Sequence, residues 1–205
     1  MLKLLTTAYL ALFLVFSPVQ ANSTEDTLVQ GLSTTQMARD AVVKVVSQDE
    51  TVGNSCSAVI VAPNRALTAA HCVDIPAMAL LMHNGDVLPV ISFEVDQQGR
   101  DLATLHVLNL RGAYAFTTDI PVQTDEMVFA VGYPYGVGPV LTVGTFQFRI
   151  TNPMVGQTFL LSTVQVAPGN SGGALYVVRD GAPYLVGIVV AYLGTNHLAI
   201  SVELP

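Results

Sequence analysis

The chain has 205 residues, 51% of them hydrophobic and only 11% charged, with a net charge of −7. This composition excludes a disordered chain and allows a sizeable core, in one domain or in two small ones sharing it. The acidic balance, with no clusters of Lys and Arg, excludes nucleic acid as a partner, because neutralising phosphates requires such clusters.

At the start, Lys3 precedes an apolar run over residues 4–16, closed by Pro18-Val19-Gln20-Ala21. This is the layout of a secretory signal peptide (residues 1–21) cleaved after Ala21, and the run is shorter than the roughly 20 residues a membrane span requires. The expected product is exported, periplasmic or secreted, with no stable membrane insertion. A disulfide persists in such compartments. Residues 22–40 are polar and unpatterned, an arm or a short helix ahead of the body. From Ala41 the texture changes to short runs rich in Val, Ile, Leu, Phe and Thr, at 41–47, 56–62, 80–82, 87–93, 102–108, 128–132, 140–150, 158–164, 174–178, 184–192 and 198–202. Turn residues separate them at Pro63-Asn64, Asn84-Gly85, Arg179-Asp180-Gly181 and Gly194-Thr195-Asn196. Residues 109–121 form the best candidate linker between two halves. The absence of a long helical pattern predicts an all-β fold, a sandwich or a pair of barrels.

Three segments carry catalytic residue types. Thr68-Ala69-Ala70-His71-Cys72 holds a histidine, Asp101 opens an apolar strand, and Pro168-Gly169-Asn170-Ser171-Gly172-Gly173 sets a serine among glycines. Taken singly, each has an ordinary reading: a structural histidine, a strand-end cap and a flexible loop. Together they supply what acyl transfer needs. A serine hydroxyl becomes a competent nucleophile when an imidazole takes its proton, and a carboxylate holds that imidazole in the right tautomer. Glycines around the nucleophile let backbone N–H groups converge on a developing oxyanion.

In this order, His then Asp then Ser, the segments resemble those of the trypsin-like (chymotrypsin-fold) serine proteases. The resemblance runs from about Ala41 to Val202, and it is nearest in flavour to HtrA/DegP-type protease domains. Residues 128–136, ending Gly132-Tyr133-Pro134-Tyr135-Gly136, resemble their strand and turn, and residues 198–202 resemble their final strand. The resemblance implies two antiparallel six-stranded β-barrels, spanning 41–115 with the His and Asp and 116–205 with the Ser, and an active site in the cleft between them. It implies His71 as general base, Asp101 as orienting carboxylate, Ser171 as nucleophile, and the N–H groups of Gly169 and Ser171 as the oxyanion hole. It also implies a Cys56–Cys72 disulfide. A metal site on Cys56, Cys72 and His71 competes with that pairing, but the cysteine spacing does not suit a tetrahedral metal, and no metal or other cofactor is expected. His83, His106 and His197 read as surface turn or strand positions.

Departures from the family pattern also inform. Asn170 stands where digestive relatives carry an Asp that pairs with a newly cut N-terminus, so zymogen activation of that kind is not expected. PDZ domains following the protease body are not expected either. By family position, Gln165 lies at the base of the primary specificity pocket, with Val190, Ala191 and Tyr192 along its wall. No carboxylate is present there for Arg or Lys, which favours small or medium uncharged side chains. The expected activity is that of an exported serine endopeptidase acting on polypeptides. The alternatives are a peptide-binding pseudoprotease and a protease held at rest until a ligand binds.

Overall fold

The computed structural model describes residues 24–48, 55–194 and 198–204. The signal-peptide reading, the turn at 195–196 and His197 therefore lie outside the described residues. The body begins with a helix, α1 (Thr24–Asp40), longer than the arm or short helix the sequence suggests. Its apolar pattern is weak because one narrow stripe docks: Thr34 and Ala38, one turn apart, are buried while Leu32 stays exposed. The Thr34 hydroxyl contacts the Gly181 carbonyl, and the Tyr176 hydroxyl donates to the Ala38 carbonyl (3.4 Å). The helix is thus held by tertiary contact more than by its own pattern.

Six strands follow: β1 (Val42–Ser47), β2 (Cys56–Ala62), β3 (Arg65–Thr68), β4 (Met78–Leu81), β5 (Val87–Val95) and β6 (Ala103–Val107). They close into an antiparallel barrel in the order β1-β2-β3-β6-β5-β4. The next strands are the two-residue β7 (Phe116–Thr117), then β8 (Met127–Gly132), β9 (Val140–Asn152), β10 (Gln157–Ser162), β11 (Ala174–Arg179), β12 (Ala182–Leu193) and β13 (Leu198–Glu203). Here β11-β8-β9-β10-β13-β12 close into a second antiparallel barrel through a β11–β12 pairing, and β7 adds to β12 in parallel. The fold is all-β, a pair of six-stranded barrels.

All eleven apolar runs are strands; β3 and β7 are the two that the composition did not mark. β3 alternates in burial but has only four residues, Arg65-Ala66-Leu67-Thr68, whose side chains do not alternate apolar with polar, and β7 has two exposed residues, so neither is long enough to show a strand pattern in the sequence. The hairpin turns sit where their chemistry predicts, with positive φ at Asn64, Gly85, Asp180 and Gly181.

The barrels share a seam. Val190 and Val202 of the second barrel join Val43, Ile60, Leu80 and Leu105 of the first in one buried cluster. A second cluster joins Val42 and Val59 to Phe129, Tyr133 and Tyr176, with the Phe129 and Tyr176 rings stacked at 5.3 Å. This packing holds the first barrel's loops in register with those of the second.

Candidate active site

A 3-10 turn at Ala70–Cys72 follows β3 and presents His71, which stays exposed while Cys72 beside it is buried. Asp101 sits just ahead of β6 and accepts twice from His71: the backbone N–H reaches Oδ1 at 3.0 Å, and ring Nδ1 lies 2.8 Å from Oδ2. The double contact fixes the position and the rotation of the imidazole. It also leaves Nε2 as the nitrogen free to handle a substrate's proton. The hydrogen bond to Asp101 raises the His71 pKa above its ordinary 6.5, against the opposing effect of burial and with help from the Asp101 and Asp74 charges. Burial pushes the Asp101 carboxyl up, but the bonds from the His71 ring and backbone and from the Ala70 backbone outweigh it and leave the group below the usual carboxylate range.

Cys56 and Cys72 form a disulfide with Cα atoms 6.2 Å apart, tying the histidine turn to the start of β2. A ring nitrogen of His71 lies within 4.8 Å of both sulfurs, and Cys72 Sγ lies 3.8 Å from the Ser171 carbonyl oxygen. Histidine and serine therefore flank the same disulfide. With both sulfurs bonded to each other, neither is a thiolate that could hold a metal in this state. Closing a loop of this length contributes roughly 3 kcal/mol in the chain-entropy model. The Cys56→Ala/Cys72→Ala protein is accordingly expected to melt roughly 6–12 °C lower in a calorimetric scan; a change under 2 °C would show that the bridge leaves stability to the barrels.

The serine loop is clamped by the first barrel. Ser57 N–H donates to the Ser171 carbonyl (2.7 Å), Ser57 Oγ donates to the Gly169 carbonyl (2.8 Å), and the same hydroxyl accepts from Tyr133 N–H (2.9 Å). Gly172 and Gly173 tie the loop to β12 through Val189. Gly169 adopts φ +98°, and a Cβ there would lie 2.4 Å from the Tyr133 carbonyl oxygen, so only glycine permits the approach. Asn170 N–H is spent on a turn to Ala167. Among the described residues, the N–H groups of Gly169 and Ser171 donate to nothing. Two unspent amides beside a serine are what a developing oxyanion requires. No hydrogen bond joins Ser171 Oγ to His71 among the described residues; catalytic bonds are often long without substrate and tighten when it binds.

A pocket of about 190 Å³ opens beside Ser171, lined by Val166, Ala167, Pro168, Asn170 and Ser171 and by residues 189–192. Val190, Ala191 and Tyr192 line it, and Gln165 does not. Gln165 is exposed, and its carbonyl accepts from the Thr142 hydroxyl at 2.8 Å. Past the end of β10, Val164 is buried in the second barrel's core, Gln165 is exposed, and Val166 packs against that core while lining the pocket. Counting six residues back from the serine lands one position off the lining. Ser57 and Val166 escape sequence reasoning altogether, since neither belongs to a motif and both act through contacts made by folding. Of the remaining histidines, His83 Nδ1 meets the Tyr133 hydroxyl at 3.4 Å, and His106 lies 3.4 Å from Glu94.

A His–Asp pair and a glycine-walled serine at the seam of two closed β-barrels define the chymotrypsin-like class of fold. Residues 56–188 match the trypsin-like peptidase domain, and the chain belongs to the trypsin-like peptidase family. No curated protein matches it in sequence. Among solved structures it is similar to a serine endoprotease from Yersinia pestis, with TM-score 0.70 and 24% identity over 85% of this chain and 61% of that one. An inactive form of Rv3671c from M. tuberculosis H37Rv gives TM-score 0.68 and 19% identity over 91% and 88% of the two chains. A variant of the HtrA-type protease AlgW, solved with a tripeptide, gives TM-score 0.71 and 21% identity over 84% and 59%. The chain thus spans about three fifths of the Yersinia and AlgW proteins, and the likeness at these identities is one of fold.

Proposed function

We propose that the protein is a serine endopeptidase that hydrolyses polypeptides through an acyl-enzyme. His71 Nε2 takes the Ser171 hydroxyl proton as Oγ attacks the scissile carbonyl, and Asp101 stabilises the imidazolium through Nδ1–H. The Gly169 and Ser171 amides receive the oxyanion. Collapse expels the amine, which leaves with the proton returned by His71, and a water activated by the same imidazole then frees the acid. The 2.8 Å contact between His71 and Asp101 carries this reading, because it sets the tautomer the step requires. Export to a periplasm or to the medium fits the apolar N-terminal run and a disulfide that a reducing cytosol would not preserve.

The test is labelling by a fluorophosphonate. Prompt modification of Ser171 supports the active peptidase, modification only with peptide present identifies a resting enzyme, and none under either condition leaves a peptide-binding module. On fluorogenic peptides varied at the residue before the scissile bond, Val or Ala is expected to outrun Arg, given the apolar pocket. Because the base must be neutral and Asp101 raises its pKa, kcat/KM is expected to climb with pH along a limb centred above 6.5. A flat profile from pH 5 to 8 would exclude His71 as the base.

A further inference from the structure

Lys44 lies in β1, opposite Ser57 on one side and Leu81 on the other. Its side chain runs beneath the Pro134–Gly136 turn. A Cβ built on Gly136 would lie 2.8 Å from Lys44 Nζ and 3.3 Å from Ser55 Oγ. The same turn touches the oxyanion glycine, since a Cβ built on Gly169 would lie 3.0 Å from Tyr135 N and 3.4 Å from Gly136 N. The ammonium is therefore one loop away from the site of bond cleavage.

Its side of the site follows from the pocket. Substrate seated in the pocket beside Val166 and Val190 has its scissile carbonyl at Ser171. The leaving group lies away from that pocket, and the groups next to Ser171 that do not line the pocket are Ser57 of β2, whose N–H donates to the Ser171 carbonyl, and the Cys56–Cys72 disulfide. Lys44 pairs with that same Ser57, and its Nζ and Ser55 Oγ both lie against Gly136, in the turn that touches Gly169. Lys44 is half-buried, and among the described residues no carboxylate lies within 4.0 Å of it. On a chain of net charge −7, this is a cation with no carboxylate partner among the described residues, and the Ser55 hydroxyl lies against the same glycine.

We infer that Lys44, with Ser55, selects substrates carrying Asp or Glu in the first two positions after the scissile bond. The inference rests on the peptidase reading above and extends it to the leaving-group side. Lys44 touches none of the reacting atoms; it determines specificity, and it does so electrostatically, so salt weakens the preference.

Quenched peptides identical up to the scissile bond and carrying Asp, Asn or Lys in the two following positions provide the test. The wild-type protein at low salt is expected to favour Asp over Asn by about fivefold in kcat/KM, with Lys slowest, and to lose most of this ranking at about 1 M salt. Lys44→Gln levels the ranking, and Lys44→Glu inverts it. The same peptides, labelled, are titrated by fluorescence anisotropy into the Ser171→Ala protein with and without Lys44→Glu, so that binding decides even without turnover. Equal handling of the three peptides, or a ranking untouched by either Lys44 variant, overturns the inference. Failure of the wild-type serine to react with a fluorophosphonate would instead overturn the peptidase reading, and the binding series would still decide the role of Lys44.

Discussion

Replacing Asp101 with Asn is expected to lower kcat/KM at neutral pH by about 10³–10⁴-fold while leaving the fold intact. The carboxylate accepts two donors from one residue, the His71 backbone N–H at Oδ1 and ring Nδ1 at Oδ2. An asparagine offers one oxygen and one NH₂. If its oxygen keeps the backbone bond, its NH₂ faces Nδ1 and favours the tautomer protonated at Nε2. That nitrogen then has no lone pair for the Ser171 proton, so the loss falls on kcat more than on KM. The variant also removes the group that raises the His71 pKa, and its residual activity should therefore titrate at lower pH than the wild type. Steady-state kinetics from pH 5 to 9 measure both effects. A loss below tenfold, with an unmoved acid limb, would show that Asp101 does not orient the base.

The second large effect is expected at Gly172. Its φ is +82°, and a Cβ there would lie 2.0 Å from the Ser57 carbonyl oxygen and 2.2 Å from Thr68 Oγ1. Both atoms are confined by a hydrogen bond of their own, Thr68 Oγ1 donating to the Ser57 carbonyl at 2.8 Å. Nothing can yield without parting the serine loop from the first barrel. Gly172→Ala should cost about 3 kcal/mol or more, lower the melting temperature by roughly 6–12 °C, and abolish fluorophosphonate labelling even in the folded fraction. Gly156→Ala is the control: its φ is also positive, at +63°, but a Cβ there meets nothing within 4 Å. It carries the backbone penalty alone, about 1 kcal/mol. If the two variants melted together, steric closure at the serine loop could not be the reason for a glycine at 172.

Asn170 illustrates how one position can be read from sequence in one respect and not in another. Its identity excludes the charge pair with a new N-terminus that an Asp there would allow. Folding buries it against Gly132, whose Cβ, if present, would lie 2.8 Å from Asn170 Oδ1. That close fit between loop and strand is invisible in the letters, because Gly132 and Asn170 are distant in the chain.

The strand runs, the hairpin turns at 63–64, 84–85 and 179–181 and the three motif segments were legible in the sequence. Each depends on residues adjacent in the chain: alternation along a strand, positive φ at a turn, glycines beside a serine. The full length of the helix over residues 24–40, offered only as an arm or a short helix, and the strands at 65–68 and 116–117 were not, because packing against distant residues stabilises them and their own pattern does not. The same divide runs through the site. Covalent neighbours placed a histidine, an aspartate and a serine in their segments. Only tertiary structure decided that Ser57 would clamp the serine loop, that Val166 and not Gln165 would line the pocket, and that Lys44 would lie against the Pro134–Gly136 turn. Those outcomes depend on barrel closure and on the packing of one barrel against the other, which bring together groups that no local spacing relates.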